Sequence, residues 1–201
     1  MDDQKVETVK YYNQEATSYF TSLRKDEKGS YWKNEMLKFN EYLPNGKVLE
    51  IGSGIGSDAK ALINLGYDYT GTDASSELLK IARRRNPSAK FIQRYAHEIE
   101  SSLGEFDGFW ASAVLLHIPK NEMRESLLAI SSVLKKYCIG FITMKEGAYE
   151  RVEKKTGRLF TYYNENEFTN VLKSVDFSVL EVGRRDTEKD NWLIYYVKKE
   201  T

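Results

Sequence analysis

The stretch VLEIGSGIGSDA, residues 48–59, places Gly52, Ser53, Gly54 and Gly56 just behind an acid, Glu50. Glycine loses more conformational freedom on folding than any other residue, so such clusters serve tight positive-φ turns or backbone that lies against a ligand. An apolar segment precedes the run and a helical one follows it, the setting of a nucleotide-binding loop. A phosphate loop needs Gly-Lys-Ser/Thr, whereas Gly56 is followed by Ser57 and Asp58. The dinucleotide fingerprint fits formally from Gly54 to Ala59. Glu50 speaks against it, because a carboxylate there repels a pyrophosphate and attracts an ammonium group. The chemistry indicated is a cationic ligand with a nucleoside end. Asp73 follows Gly52 by 21 residues at the close of the next apolar segment. That spacing sets its carboxylate beside the loop for ribose hydroxyls. The other reading is an N-cap for the helix that begins after Ala74 and Ser75.

His117, in LLHIP, follows the fourth expected strand on the same side. A neutral imidazole there can take a proton from an oxygen or nitrogen, or it can hold the loop before Pro119. His97 reads as structural or solvent-facing. Lys145, Arg158, Tyr162 and Tyr163 bracket the segment after the fifth strand, which can close over the site. Arg158 suits an acidic substrate group. Tyr162 and Tyr163 point opposite ways if extended, so one at most faces a pocket and the other belongs to the core. Arg184, Arg185 and Trp192 sit at the last hairpin and read as a solvated face.

The elements that position these residues follow from periodicity. Val9, Tyr12, Ala16, Tyr19, Phe20 and Leu23 share one face of a helix over 8–24, with a break at 25–30. A second helix runs from Trp32 to Tyr42 and ends at Pro44-Asn45-Gly46. Strands are expected at 47–51, 67–72, 90–93, 107–111, 137–145, 177–183 and 192–198. Helices are expected at 57–65, 75–85, 120–134 and 164–174, with Gly66 as a C-cap and Asn164 with Glu167 as a capping box. The alternation predicts a doubly wound α/β fold: a mainly parallel seven-stranded sheet covered on both faces, with an antiparallel edge. The expectation is a single domain over 1–201, with residues 1–45 as its helical cap.

The chain holds 30 basic and 30 acidic residues and is 41% hydrophobic. That supports a packed core and argues against a broad nucleic-acid footprint. The lone cysteine, Cys138, excludes an internal disulfide or cysteine-rich metal site, and no metal ligands are assigned. It reads as a buried thiol and favours a cytoplasmic setting. No segment reads as a signal peptide, and none reaches about 18 apolar residues, so no membrane partner is expected.

Taken together, these motifs resemble the class I S-adenosylmethionine-dependent methyltransferases. VLEIGSGIG is similar to the superfamily's first motif, YTGTDASSELLKIARRR to the second, and FDGFWASAVLLHIPKNEM to the fourth-strand segment. RLFTYYNENEFTNVLKSVDFSVLEV resembles the late part of small free-standing members, and the likeness spans residues 9–199. It implies S-adenosylmethionine as cofactor. By position, Glu50 would lie near the methionine amino group and Gly52, Ser53 and Gly54 would cradle the amino-acid part. Asp73 would take the ribose hydroxyls, Ala74 would border adenine, and Tyr95 and Ala96 would line its other side. Residues 111–113, ending at Ala113, would pass the methionine, and Tyr12 and Tyr19 would cover cofactor and substrate. Two departures stand out: Tyr95 where the family often has an acid, and Lys135-Lys136-Tyr137 where it has a proline-glycine-glycine turn. The fold does not report the methyl acceptor. A small-molecule oxygen or nitrogen acceptor is the first reading, with His117 as base and Lys145, Arg158, Tyr162 and Tyr163 as substrate contacts. The alternatives are a tRNA or protein methyltransferase, for which Arg83, Arg84, Arg85 and Lys90 would form the RNA rim, and a non-catalytic cofactor-binding regulator. The oligomeric state stays open.

Overall fold

The computed structural model describes residues 3–24 and 31–201. The expected first helix is two helices, α1 (Asp3–Gln14) and α2 (Ala16–Arg24). Ala16, at the junction, is buried against Ile55 and Leu78, so packing fixes where they meet. The break expected at 25–30 lies outside the described residues. α3 (Lys33–Tyr42) buries Met36 and Phe39.

Alternation then begins: β1 (Lys47–Ile51), α4 (Ala59–Asn64), β2 (Asp68–Asp73), α5 (Ser76–Arg85), β3 (Lys90–Gln93), β4 (Phe106–Ala111), α6 (Lys120–Ser131) and β5 (Leu134–Lys145). A small hairpin of β6 (Glu150–Val152) and β7 (Leu159–Thr161) comes next, then α7 (Glu165–Lys173), β8 (Phe177–Asp186) and β9 (Asn191–Lys199). The seven-stranded sheet has the order β3-β2-β1-β4-β5-β9-β8. The pairs from β3 through β5 are parallel, and β9 runs antiparallel between β5 and β8. The antiparallel strand therefore sits one place in from the edge.

Both faces of the sheet are covered, as a parallel sheet requires. Strand residues alternate between faces. Leu49, Ile51 and Phe109 pack with Met123 and Leu127 of α6 and Phe168 of α7. Val48, Trp110 and Phe141 pack on the other side with Phe39, Leu62 and Leu79 from α3, α4 and α5. Trp110 and Phe141 stack there with centroids 3.7 Å apart and planes at 12°.

Several boundaries move for local reasons. Ser75, not Asp73, caps α5, accepting from the Leu78 N–H at 3.1 Å. Asn164 caps α7 by accepting from the Glu167 N–H at 2.9 Å. β5 starts at Leu134 through an irregular pairing in which Phe106 opposes Leu134 and Gly108 opposes Ile139. Tyr137, at φ +63°, absorbs the extra residues, and Lys135 pairs with Asp107 at 2.8 Å. Cys138 is buried, which pushes its thiol pKa up.

Gly140 shows how tightly the centre is filled. A Cβ there would lie 2.0 Å from Phe109 Cε1 and 2.7 Å from Val197 Cγ2. Gly140→Ala is expected to destabilise the protein by about 1–3 kcal/mol, the range for overpacking a core. Urea unfolding checks this: the midpoint falls at constant slope, whereas an unchanged midpoint contradicts the packing described.

Candidate functional site

The strand order reverses between β1 and β4, and at such a switch point the loops at the strands' C-terminal ends separate into a crevice. Here they open a cavity of about 950 Å³, lined by 50–58, Asp73 and Ala74, 94–97 and 112–114, and covered by residues of α1 and α2.

The glycine loop has the positive φ values that its composition implied. Gly52 is at φ +70°, and a Cβ there would lie 2.3 Å from Val114 Cγ2. Gly54 is at φ +52° with nothing within 4 Å of a Cβ, so bare backbone meets open space. Two hydrogen bonds fix the loop to the end of β2. The Ser53 N–H donates to Thr72 O, and the Gly54 N–H to Asp73 Oδ2, each at 2.8 Å. The Ser75 N–H donates to Asp73 Oδ1, also at 2.8 Å. Burial raises the Asp73 carboxyl to about 6 against those two backbone bonds. Oδ2 faces the loop and Oδ1 the start of α5, and each keeps a lone pair for a further donor.

Glu50 forms part of the floor and is 3% exposed. Its Oε2 accepts from the Tyr69 hydroxyl. Tyr69 reaches it by lying over Gly71, where a Cβ would be 2.4 Å from the phenol oxygen. Burial, and next the Asp58 charge, hold the Glu50 pKa well above the carboxylate range. Asp58 accepts from Trp110 Nε1–H at 2.9 Å and also lines the cavity. Sequence reasoning missed its role; the signal available was an acid at the end of a glycine loop.

At the other end Ala74, Tyr95 and Ala96 line the wall, joined by His97 and Arg94. The Tyr95 N–H donates to Glu98 Oε2 at 3.0 Å, so that nearby acid caps backbone. Ala113 holds an uncommon φ of +51° for a residue with a Cβ, its N–H donating to Thr143 Oγ1 at 2.8 Å.

The cover is joined to the wall by a relay. Tyr12 O–H and His117 Nε2 are 2.9 Å apart, and His117 Nδ1 is 2.6 Å from Leu159 O. A carbonyl only accepts, so Nδ1 carries the proton and Nε2 accepts from Tyr12. His117 is partly buried, with both nitrogens against protein; their burial pushes the pKa down to about 4, and the ring is neutral. Arg158 donates from Nη1 to the Tyr12 oxygen at 3.3 Å and pairs through Nη2 with Glu153 at 2.9 Å. The Leu159 N–H donates to Thr8 Oγ1 at 3.0 Å, and Lys5 pairs with Glu122, seating α1 on β7 and α6. Tyr19 lines the cavity with its ring 5.7 Å from Tyr12, edge to face.

The expected substrate contacts are placed differently. Lys145 pairs with Asp190 at 2.9 Å beneath the rings of Phe160 and Trp192, off the cavity wall. Tyr163 is 1% exposed and packs on Phe168. Tyr162 packs on Tyr149 and does not line the cavity either. The cause is the β6–β7 hairpin, which turns the segment after β5 away before α1 covers it. Arg158 reaches the wall only through Tyr12. Trp192, read as solvated, instead lines the cavity with its ring 5.9 Å from Trp32, because β9 lies beside β5 and not at the rim. Arg83 and Arg85 donate to the carbonyls of Phe91 and Ile55, which disperses the basic cluster on α5.

A family profile described as "Methyltransferase domain" matches residues 48–137. The chain is 26% identical over 104 residues, 52% of its length, to the demethylmenaquinone methyltransferase of Renibacterium salmoninarum. It is 30% identical over 95 residues, 45% of its length, to the putative methyltransferase YqeM of Bacillus subtilis. These matches span 43% and 38% of the two relatives, less than half of each. In fold it resembles the 1,6-didemethyltoxoflavin-N1-methyltransferase of Burkholderia thailandensis, solved with 1,6-didemethyltoxoflavin and S-adenosylhomocysteine. The TM-score is 0.75 at 20% identity, over 95% of this chain and 88% of that one. Among the described residues no helix is long and apolar enough to cross a membrane. The glycine-loop half of the chain matches a methyltransferase-domain profile, and the sheet has the doubly wound fold of the solved methyltransferase.

Proposed function

We propose that this protein is an S-adenosylmethionine-dependent methyltransferase acting on an oxygen or nitrogen of a small molecule. The observation that carries this reading is the junction of Gly54, Asp73 and Glu50 at the switch point. Bare backbone at Gly54 leaves room for a ligand, Asp73 offers oxygens to vicinal hydroxyls, and Glu50 offers negative charge at the far end. Bound there, the cofactor supplies a methyl group already activated by its sulfonium. A pyrophosphate would meet Glu50 and Asp58 instead of a cation, so a nicotinamide dinucleotide fits poorly.

In this reading Gly52, Ser53, Gly54 and Glu50 hold the amino-acid end and Asp73 the ribose. Ala74, Tyr95 and Ala96 flank adenine, while Ala113, Tyr12 and Tyr19 close over the middle. The cavity continues past these residues to His117, which leaves space for an acceptor and favours an enzyme over a binding protein. The names of these relatives, which refer to a demethylmenaquinone and a didemethyltoxoflavin, favour a small acceptor as well. His117 Nε2 is covered by the Tyr12 hydroxyl, so an acceptor that loses a proton meets Tyr12 first. The proton passes to the Tyr12 oxygen as Tyr12's own proton moves to Nε2, and Arg158 holds that oxygen in place. We further propose one domain over the whole chain, residues 1–45 as its cover, and a cytoplasmic setting, the last on the single buried thiol.

Calorimetric titration tests the cofactor: S-adenosylmethionine and S-adenosylhomocysteine are expected to bind and NAD not. Failure of both adenosyl compounds to bind would overturn the reading. Asp73→Ala is expected to weaken S-adenosylhomocysteine at least tenfold, about 1.4 kcal/mol, while circular dichroism stays unchanged. Equal affinity in the folded variant would remove Asp73 from the ribose. Nitrogen-15 NMR checks the relay: the His117 ring should stay neutral, protonated on Nδ1, from pH 5 to 8. Titration near the ordinary imidazole value would contradict the geometry described.

A further inference from the structure

Glu50 is an acid buried among acids. It sits on β1 between Gly71 of β2 and Trp110 of β4, its paired neighbours in the sheet. The hydrogen bond to its carboxyl comes from the Tyr69 hydroxyl, a neutral donor. The titratable groups that act on it are Asp58 from the loop before α4, Asp73 from the end of β2, and Tyr69 itself. Among the described residues no lysine, arginine or histidine forms an ion pair with it. A carboxylate at 3% exposure without a cation is costly, and such groups neutralise themselves by keeping a proton. The cavity floor is open to a ligand at this point, so the missing positive charge can arrive only from the cavity side.

We propose that Glu50 is protonated in the ligand-free protein and surrenders that proton when a primary ammonium group enters, so that ligand binding and proton release are one event. The inference rests on the cofactor reading above and adds its regulation. The balance is simple: a carboxylic acid and an ammonium become a carboxylate–ammonium pair, and the proton leaves to the buffer. Tyr69 is the positioning residue. Its O–H donates to Oε2 and stabilises the ionised form, and it reaches there only because residue 71 lacks a Cβ. Linkage then fixes the sign. A ligand that requires the ionised form binds more tightly as pH rises, by up to about tenfold per pH unit while the free acid remains protonated.

The test uses two nucleosides that differ in the amino-acid end. S-adenosylhomocysteine carries the ammonium; 5′-methylthioadenosine carries the same adenosine and thioether without it. Both are titrated calorimetrically at pH 7 in phosphate and in Tris, whose ionisation enthalpies differ. The dependence of heat on buffer counts the protons released. About one proton is expected for S-adenosylhomocysteine beyond any released with 5′-methylthioadenosine, whose shared ribose cancels the contribution of Asp73. In Glu50→Gln, which keeps the shape and an acceptor for Tyr69, the extra proton disappears. Binding of S-adenosylhomocysteine with the same heat in both buffers would overturn the inference and leave the cofactor reading standing. No binding of either nucleoside would overturn the cofactor reading, and this inference with it.

Discussion

Asp73 ties two strand ends together, and the site is built around that tie. One carboxyl oxygen takes the Gly54 N–H from the loop after β1, and the other takes the Ser75 N–H at the start of α5. A carboxylate that accepts from two backbone donors fixes the direction of both chains. The loop can follow this path only at positive φ, which is why glycine recurs at 52, 54 and 56. With the loop held open, the cavity lies at the point where strand order reverses, and its floor and walls come from β1, β2 and β4.

Charge is distributed unevenly around that point. Glu50, Asp58 and Asp73 gather at the β1–β2 side. Across the cavity, Arg158, Tyr12 and His117 form a hydrogen-bonded chain between the hairpin and the first helix. A ligand with a positive centre and hydroxyls is matched to the first side, and a group that releases a proton to the second. The Thr8 bond to Leu159 and the Lys5 pair with Glu122 hold the covering helix across both.

What the sequence made legible were features of short range. The strand–glycine–helix unit, the acid 21 residues beyond Gly52 and the alternation of elements can each be read within a few dozen residues, because spacing and periodicity are local. The β6–β7 hairpin was not legible: 150–161 is rich in charge without alternation, and it is held by distant groups such as Thr8 and Ile118. That omission misplaced Lys145, Tyr162 and Tyr163 as substrate contacts. Tyr12 and His117 were each identified, yet their bond joins positions 105 residues apart, and no spacing rule pairs them. Trp192 was lost for a similar reason. A tryptophan beside a charged run reads as rim until the strand order sets β9 next to β5.

In the proposed function one adenosyl ligand spans the cavity from Asp73 to Glu50. A crystal structure with S-adenosylhomocysteine tests it most directly. Both ribose hydroxyls are expected on the Asp73 carboxylate, with backbone of 52–54 against the amino-acid part and the amino group facing Glu50. Ligand density elsewhere, or in this cavity with its ribose away from Asp73, would contradict it.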